Sequence, residues 1–229
     1  MERHGDILIK ELKQKILAMG GAVERAIEVA TDSLLDGQVE KKRDEVMALE
    51  KKINMLHIEI DDACVKLLAR EHPFATDLRL IVAAIKMNCD LERMGDQAVN
   101  IVRNVGHFVP DVKLKAGMLE ELPKMAEAVR SMVKKSLDAF VTQSSSAALE
   151  VLGLDDVIDN YKDEIFKHVI EYLKSDPASL EQGLSLILIA RNFERIGDHA
   201  TNIAEDVIFS ASGRDVRHPH AHKNSPLKE

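Results

Sequence analysis

The chain has 229 residues, a formal net charge of −8 and a pI near 5.6, an acidic balance that argues against a nucleic-acid-binding module, which normally presents a basic face. Aromatics are 3 % of the residues, Trp is absent, and Ala, Leu, Ile, Val, Met, Glu, Lys and Asp dominate, which is a helical composition. No signal-peptide core, no run near the ~20 apolar residues of a membrane span, and two isolated thiols without CxxC spacing, Cys64 and Cys89, together lead us to expect a cytoplasmic protein with no membrane insertion, no disulfide framework and no zinc knuckle.

Apolar residues step by three and four through Ile9, Leu12, Ile16, Met19, Val23, Ala26 and Ala30, which predicts a first helix broken at Asp36-Gly37. A second helix is expected over about 38–71, through Leu49, Ile53, Leu56, Ile60, Cys64 and Leu67. His72-Pro73 ends it, because the residue before proline avoids helical geometry. Pro73 then suits the first turn of a third helix, about 74–107. Residues 1–108 form the first predicted unit, and 109–117, with Pro110 and Gly117, the linker. The fourth helix steps through Met118, Leu122, Met125, Val129, Met132, Ser136 and Ala139. A turn at Thr142–Ser146 offers a serine as N-cap for a fifth helix, about 146–174. Asp176-Pro177 opens the sixth, and the second unit ends near 212. Residues 213–229, polar and carrying His218, His220 and His222, read as a solvated, disordered tail. The expected fold class is all-α: six long helices in two tandem antiparallel three-helix bundles, with no strand.

An internal repeat underlies this plan. Asp-Leu-Glu-Arg-Met-Gly-Asp-Gln-Ala-Val-Asn-Ile at 90–101 returns 102 residues later, at 192–203, as Asn-Phe-Glu-Arg-Ile-Gly-Asp-His-Ala-Thr-Asn-Ile. The positions kept include Glu, Arg, Asp and Asn, so more than an apolar stripe is shared.

Glu92 with Asp96, and Glu194 with Asp198, each stand four apart on one helical face. Such like-charge pairs cost a helix about 0.2–0.5 kcal/mol, and alone they usually mark a solvated face. Here they recur in both halves and continue apolar rows, Val82, Ile85 and Cys89 in one half and Leu184, Ile187 and Arg191 in the other. The preceding helices offer Glu50 and Asn54, and Asp155 and Asp159, as facing groups. Two readings remain open at this level. Arg93 and Arg195 neutralise the acids in ion-pair networks, or hard oxygen ligands converge on a cation. Gly95 and Gly197 point to close approach of a neighbour, since a mid-helix glycine costs about 1 kcal/mol against alanine.

The doubled Glu-Arg-Met/Ile-Gly-Asp-x-Ala-x-Asn-Ile signature, with His72-Pro73-Phe74-Ala75-Thr76-Asp77-Leu78-Arg79 upstream, resembles the PhoU family of phosphate transport regulators over residues 5–210. The resemblance implies a non-enzymatic homodimer in the cytoplasm. It implies negative regulation of the phosphate-starvation response, between the importer ATPase (PstB-like) and the sensor histidine kinase (PhoR-like). It further implies carboxylate-bound metal, whether Fe, Mn, Mg or Zn, through Glu50, Glu92 and Asp96 in one half and Asp155, Asp159, Glu194 and Asp198 in the other. Asn54 departs from the acidic pattern and lowers the charge of the first set. Arg93, Asn100, Arg195 and Asn202 stand around the two sets, the asparagines read chiefly as packing residues. No Gly-rich phosphate loop is present, so no nucleotide is expected. Two other classes compete: a metal-free helical scaffold, and a carboxylate-bridged di-iron protein. The second is disfavoured because no histidine follows a glutamate by three residues.

Overall fold

The computed structural model describes residues 4–36, 38–106 and 121–217. Seven α-helices carry the described chain: α1 (His4–Asp36), α2 (Val39–Arg70), α3 (Ala75–Val105), α4 (Glu121–Thr142), α5 (Ser145–Leu152), α6 (Asp155–Ser175) and α7 (Leu180–Ser212). No strand occurs among the described residues. The expected linker at 109–117, the start of the fourth helix at 118–120 and the tail histidines lie outside them.

Helix ends follow the local chemistry of the chain. His72 adopts φ 45° before Pro73, and α3 begins one residue beyond Phe74, so Pro73 precedes the helix instead of opening its first turn. Gln143 takes φ 50° at the end of α4, and Ser144 Oγ then accepts from Ala147 N–H, 3.2 Å away, as the expected serine N-cap. The predicted fifth helix is two helices. Gly153, a poor helix former, closes α5, and Asp155 and Asp156 open α6 with two acids at its positive end. Pro177–Ser179 form one 3₁₀ turn before α7. Asp176 accepts there from Ser179 Oγ at 2.7 Å and Tyr172 Oη at 3.2 Å, both side-chain hydroxyls.

Helices α1, α2 and α3 pack on one another as the first bundle, and α4, α5 and α6 pack around α7 as the second. The two bundles share one continuous core. Leu12, Ile16, Met19 and Val23 of α1 belong to the same buried cluster as Met125, Val129 and Met132 of α4 and Phe193 of α7. Phe140 and Phe193 are the bulkiest fully buried side chains, each stabilising by about 1.5–3 kcal/mol relative to exposure.

The seam between the halves is the α3–α7 pair. Its contacts run in opposite order along the two helices: Arg79 with Ser210, Lys86 with Asp206, Asp90 with His199. The two signature helices are therefore antiparallel neighbours. The chain after α7 also folds back on this seam, where the sequence suggests a free tail. Gly213 turns it at φ 74°, Val216 packs against the core, and Arg217 reaches Asp206 at 3.7 Å.

Candidate functional site

The first acid set lies between α2 and α3. Asn54 donates to Glu50 Oε1 one turn away on α2. Burial pushes the Asp96 carboxyl above its ordinary range, and the charge of Glu50 across the groove raises it further, while Arg103 pulls it down. Glu92 sits one turn before Asp96 and is half-buried.

The second set lies between α6 and α7 and is the more compact. Asp155 is raised by burial first, then by repulsion from Asp159, Asp156 and Glu194. Asp198 is raised by burial first, then by Glu194 and Asp155. Asp155, Asp159, Glu194 and Asp198 thus stand within each other's fields. Lys162 answers them, donating to Asp159 Oδ1 at 2.7 Å and to Glu194 Oε1 at 3.3 Å, and these carboxylates hold its own pKa up.

The cations are not those the sequence suggests. Arg93 and Arg195 are exposed and make no ion pair with the acids among the described residues. Their long side chains follow the outward faces of α3 and α7, whereas Lys162 and Arg103 stand beside the carboxylates. A lysine three residues after Asp159 was the available signal, since i,i+3 neighbours share a face. Asn202 crosses the seam to Asp90 Oδ1 at 3.3 Å, so it joins the bundles. Asn100 contributes its backbone carbonyl to Asn104.

Both glycines of the signature meet a neighbour. Gly95 lies against Ile53 of α2 and Gly197 against Ile158 of α6, close approach that brings Glu50 and Asp155 level with the acids of α3 and α7. Carboxylates and an amide are hard oxygen donors of the kind that Mg²⁺, Mn²⁺ or iron accept. Among the described residues, however, no three acidic, histidine or cysteine side chains converge closely enough to hold one ion. At the second set, moreover, an ammonium stands between two of the four acids. The side chains as placed form ion-paired and amide-bonded carboxylates.

The PhoU domain model matches residues 16–105 and 122–207, one copy for each half. The chain belongs to the PhoU family. It is 37 % identical over 210 residues to the phosphate-specific transport system accessory protein PhoU homolog of Pseudomonas putida, covering 92 % of this chain and 81 % of that one. The PhoU homolog of Aquifex aeolicus is 33 % identical over 93 % of this chain and 95 % of its own length. Among solved structures, PhoU from Pseudomonas aeruginosa superposes with a TM-score of 0.85 at 33 % identity, over 91 % of this chain and 99 % of that one. The phosphate transport system regulatory protein PhoU from Streptococcus pneumoniae also gives 0.85, at 28 % identity, with 93 % and 99 % covered. The all-α two-bundle reading therefore holds for both the structure and its relatives. Among the described residues, no helix is long and apolar enough to cross a membrane.

Proposed function

We propose that this PhoU-family chain is an accessory regulator of phosphate transport that acts in the cytoplasm by binding. It restrains the phosphate-starvation response and phosphate uptake by standing between the importer's ATPase and the sensor histidine kinase. The observation that carries this reading is the doubled signature in a two-bundle fold whose relatives, over nine-tenths of this chain, are named phosphate transport accessory proteins. The acid sets support a binding role: Asp96 and Asp198 are exposed on α3 and α7, Glu194 lines an open cleft with Lys162, and Lys162 satisfies two of the carboxylates.

The lysine counter-ion favours the metal-free form of this reading. In a metal-loaded form, Fe, Mn, Mg or Zn would be held by Glu50, Glu92 and Asp96 and by Asp155, Asp159, Glu194 and Asp198, with Lys162 displaced. Elemental analysis of tag-free protein separates the two forms. Metal at stoichiometric level that disappears in the Glu92→Gln/Asp96→Asn/Glu194→Gln/Asp198→Asn variant assigns the loaded form.

The adaptor role is tested by mixing the purified chain with the importer's ATPase subunit and with the kinase's cytoplasmic part. Association at micromolar concentration is expected with both. Absence of both complexes overturns the reading.

A further inference from the structure

Leu180, Leu184 and Leu188 follow one another at four-residue steps along the first half of α7, and they are 53 %, 50 % and 44 % exposed. Phe166 of α6, also exposed, and the half-buried Ile187 widen this strip into an apolar face. An open cleft of about 340 Å³ lies there, lined by Phe166, Ile187 and Ala190 and by the charged Lys162, Asp163, Arg191 and Glu194. Two cations and two acids leave the cleft without net charge. Met55, Ile58 and Val65 of α2 are exposed as well, but the exposed Asp62 interrupts their row. A continuous apolar strip rimmed by polar groups marks a surface of association.

The repeat shows the same place covered. At the positions 102 residues earlier, α3 carries Leu78, Val82 and Lys86. The chain after α7 lies over that surface: Lys86 is bound to Asp206, Arg217 reaches the same carboxylate, and Val216 packs against the core. In the second half the three leucines stay open among the described residues.

The charges at the two ends of the strip select its occupant. Glu181 stands three residues before Leu184, and Arg191 three residues after Leu188. Both are exposed, and neither forms an ion pair among the described residues. Ten residues of helix hold them about 15 Å apart, so they cannot pair within one chain. The order acid, Leu, Leu, base is complementary to itself when a second copy runs antiparallel. A two-fold axis between Leu184 and Leu188 then sets each leucine against the other in the second copy and brings Glu181 to Arg191 at both ends.

We propose that the strip of Leu180, Leu184 and Leu188 joins two copies of this chain in a symmetric dimer, their α7 helices antiparallel about that axis, with Glu181 of each copy paired to Arg191 of the other. The family resemblance implies a homodimer but names no face for it. Dimerisation through this face does not depend on the adaptor role and stands if that role fails.

The test is the mass of the full chain in solution, read by sedimentation over a concentration series, with melting temperature as the check that each variant is folded. A dimer is expected at micromolar concentration. Leu184→Glu/Leu188→Glu should weaken it by at least about a hundredfold, whereas Met55→Glu/Ile58→Glu on α2 should leave it unchanged. Glu181→Arg and Arg191→Glu should each weaken it by about tenfold, because like charges then meet at both ends of the axis. The two changes together, in one chain, restore opposite charges across the axis and should return the affinity to near that of the parent. These charge variants alter exposed side chains alone, so the rescue is read even where the leucine variant fails to fold. A parent that stays monomeric, a dimer that tolerates Leu184→Glu/Leu188→Glu, or one that the paired charge reversal fails to restore overturns the proposal.

Discussion

His199 of α7 donates from Nδ1 to Oδ1 of Asp90 on α3 across 2.8 Å, at a place where both side chains are largely buried. The repeat places Gln97 and Asn192 at the equivalent positions, two buried amides. One end of the seam thus carries a charged bond, whereas at the other Asn192 donates to Leu188 O of its own helix and Gln97 Oε1 has no hydrogen-bond partner among the described residues. Beside Asp90 the charged end continues through Lys86 and Asp206, 2.9 Å apart.

Loss of Asp90 should therefore loosen the bundles from each other. Asp90→Ala removes a charged acceptor and leaves His199 and Asn202 without their partner, for a loss of about 1.5–3 kcal/mol. The double change Asp90→Asn/His199→Gln replaces the charged bond by two neutral amides of similar size, leaves no buried charge without its partner, and should lose less than the single alanine variant. Urea unfolding of the three proteins checks the order.

The signature glycines should respond differently to alanine. At Gly197 a new Cβ would meet Ile158 at 3.5 Å, an ordinary contact, so Gly197→Ala should gain helix propensity, up to about 1 kcal/mol. At Gly95 it would meet Ile53 Cδ1 at 2.9 Å, and Ile53 is fully buried. Gly95→Ala should lose that gain to repacking and come out neutral or destabilised. Denaturant midpoints of the two variants give the comparison.

The second acid set makes a pH-dependent contribution of defined sign. Asp155 and Asp198 have folded-state pKa values raised above the unfolded ones, chiefly by burial. The folded state thus binds more protons, and stability falls as pH rises from the unfolded carboxylate range through the raised folded values. Both groups are partly exposed, so solvent screens the effect. Asp155→Asn or Asp198→Asn should each raise the melting temperature by about 1 °C at pH 7, on the scale of one relieved like-charge pair. The gain should vanish in acid, where the parent carboxylates are protonated. Thermal melts across pH 3.5–7 check both parts.

Lys162 carries the charge balance of that set. Lys162→Met should destabilise by about 0.5–1 kcal/mol, because Asp159 and Glu194 lose their shared cation. The same change should strengthen any stabilisation by added Mg²⁺ or Mn²⁺, since the ammonium no longer competes. Melting with and without chelator reads both effects; equal curves with and without metal would assign these acids to ion pairing alone.

Periodicity and the doubled signature were enough to place most of the molecule. Runs such as Ile9 to Ala30 settle buried helical faces because a 3.6-residue period leaves no other element to form. The facing of Asp155 and Asp159 with Glu194 and Asp198 followed from short antiparallel connections. The break at Gly153 was written in the chain, in a glycine before Asp155-Asp156, but Leu152 and Leu154 continue an apolar pattern across it and hide it. The choice of cation was legible only in part, in Lys162 three residues after Asp159 on the same face. Whether Arg195 or Lys162 reaches the acids depends on the rotation of α6 against α7, which is set by packing such as that of Ile158 against Gly197. The seating of Val216 and Arg217 on the seam was likewise hidden, because a short polar segment carries no periodicity.

The most direct measurement is a phosphate-starvation reporter in phosphate-rich medium, in cells that lack this chain and in the same cells complemented with it. The chain should hold the reporter low, and the uncomplemented cells should leave it high. A reporter that stays low without the chain would contradict its role as a negative regulator.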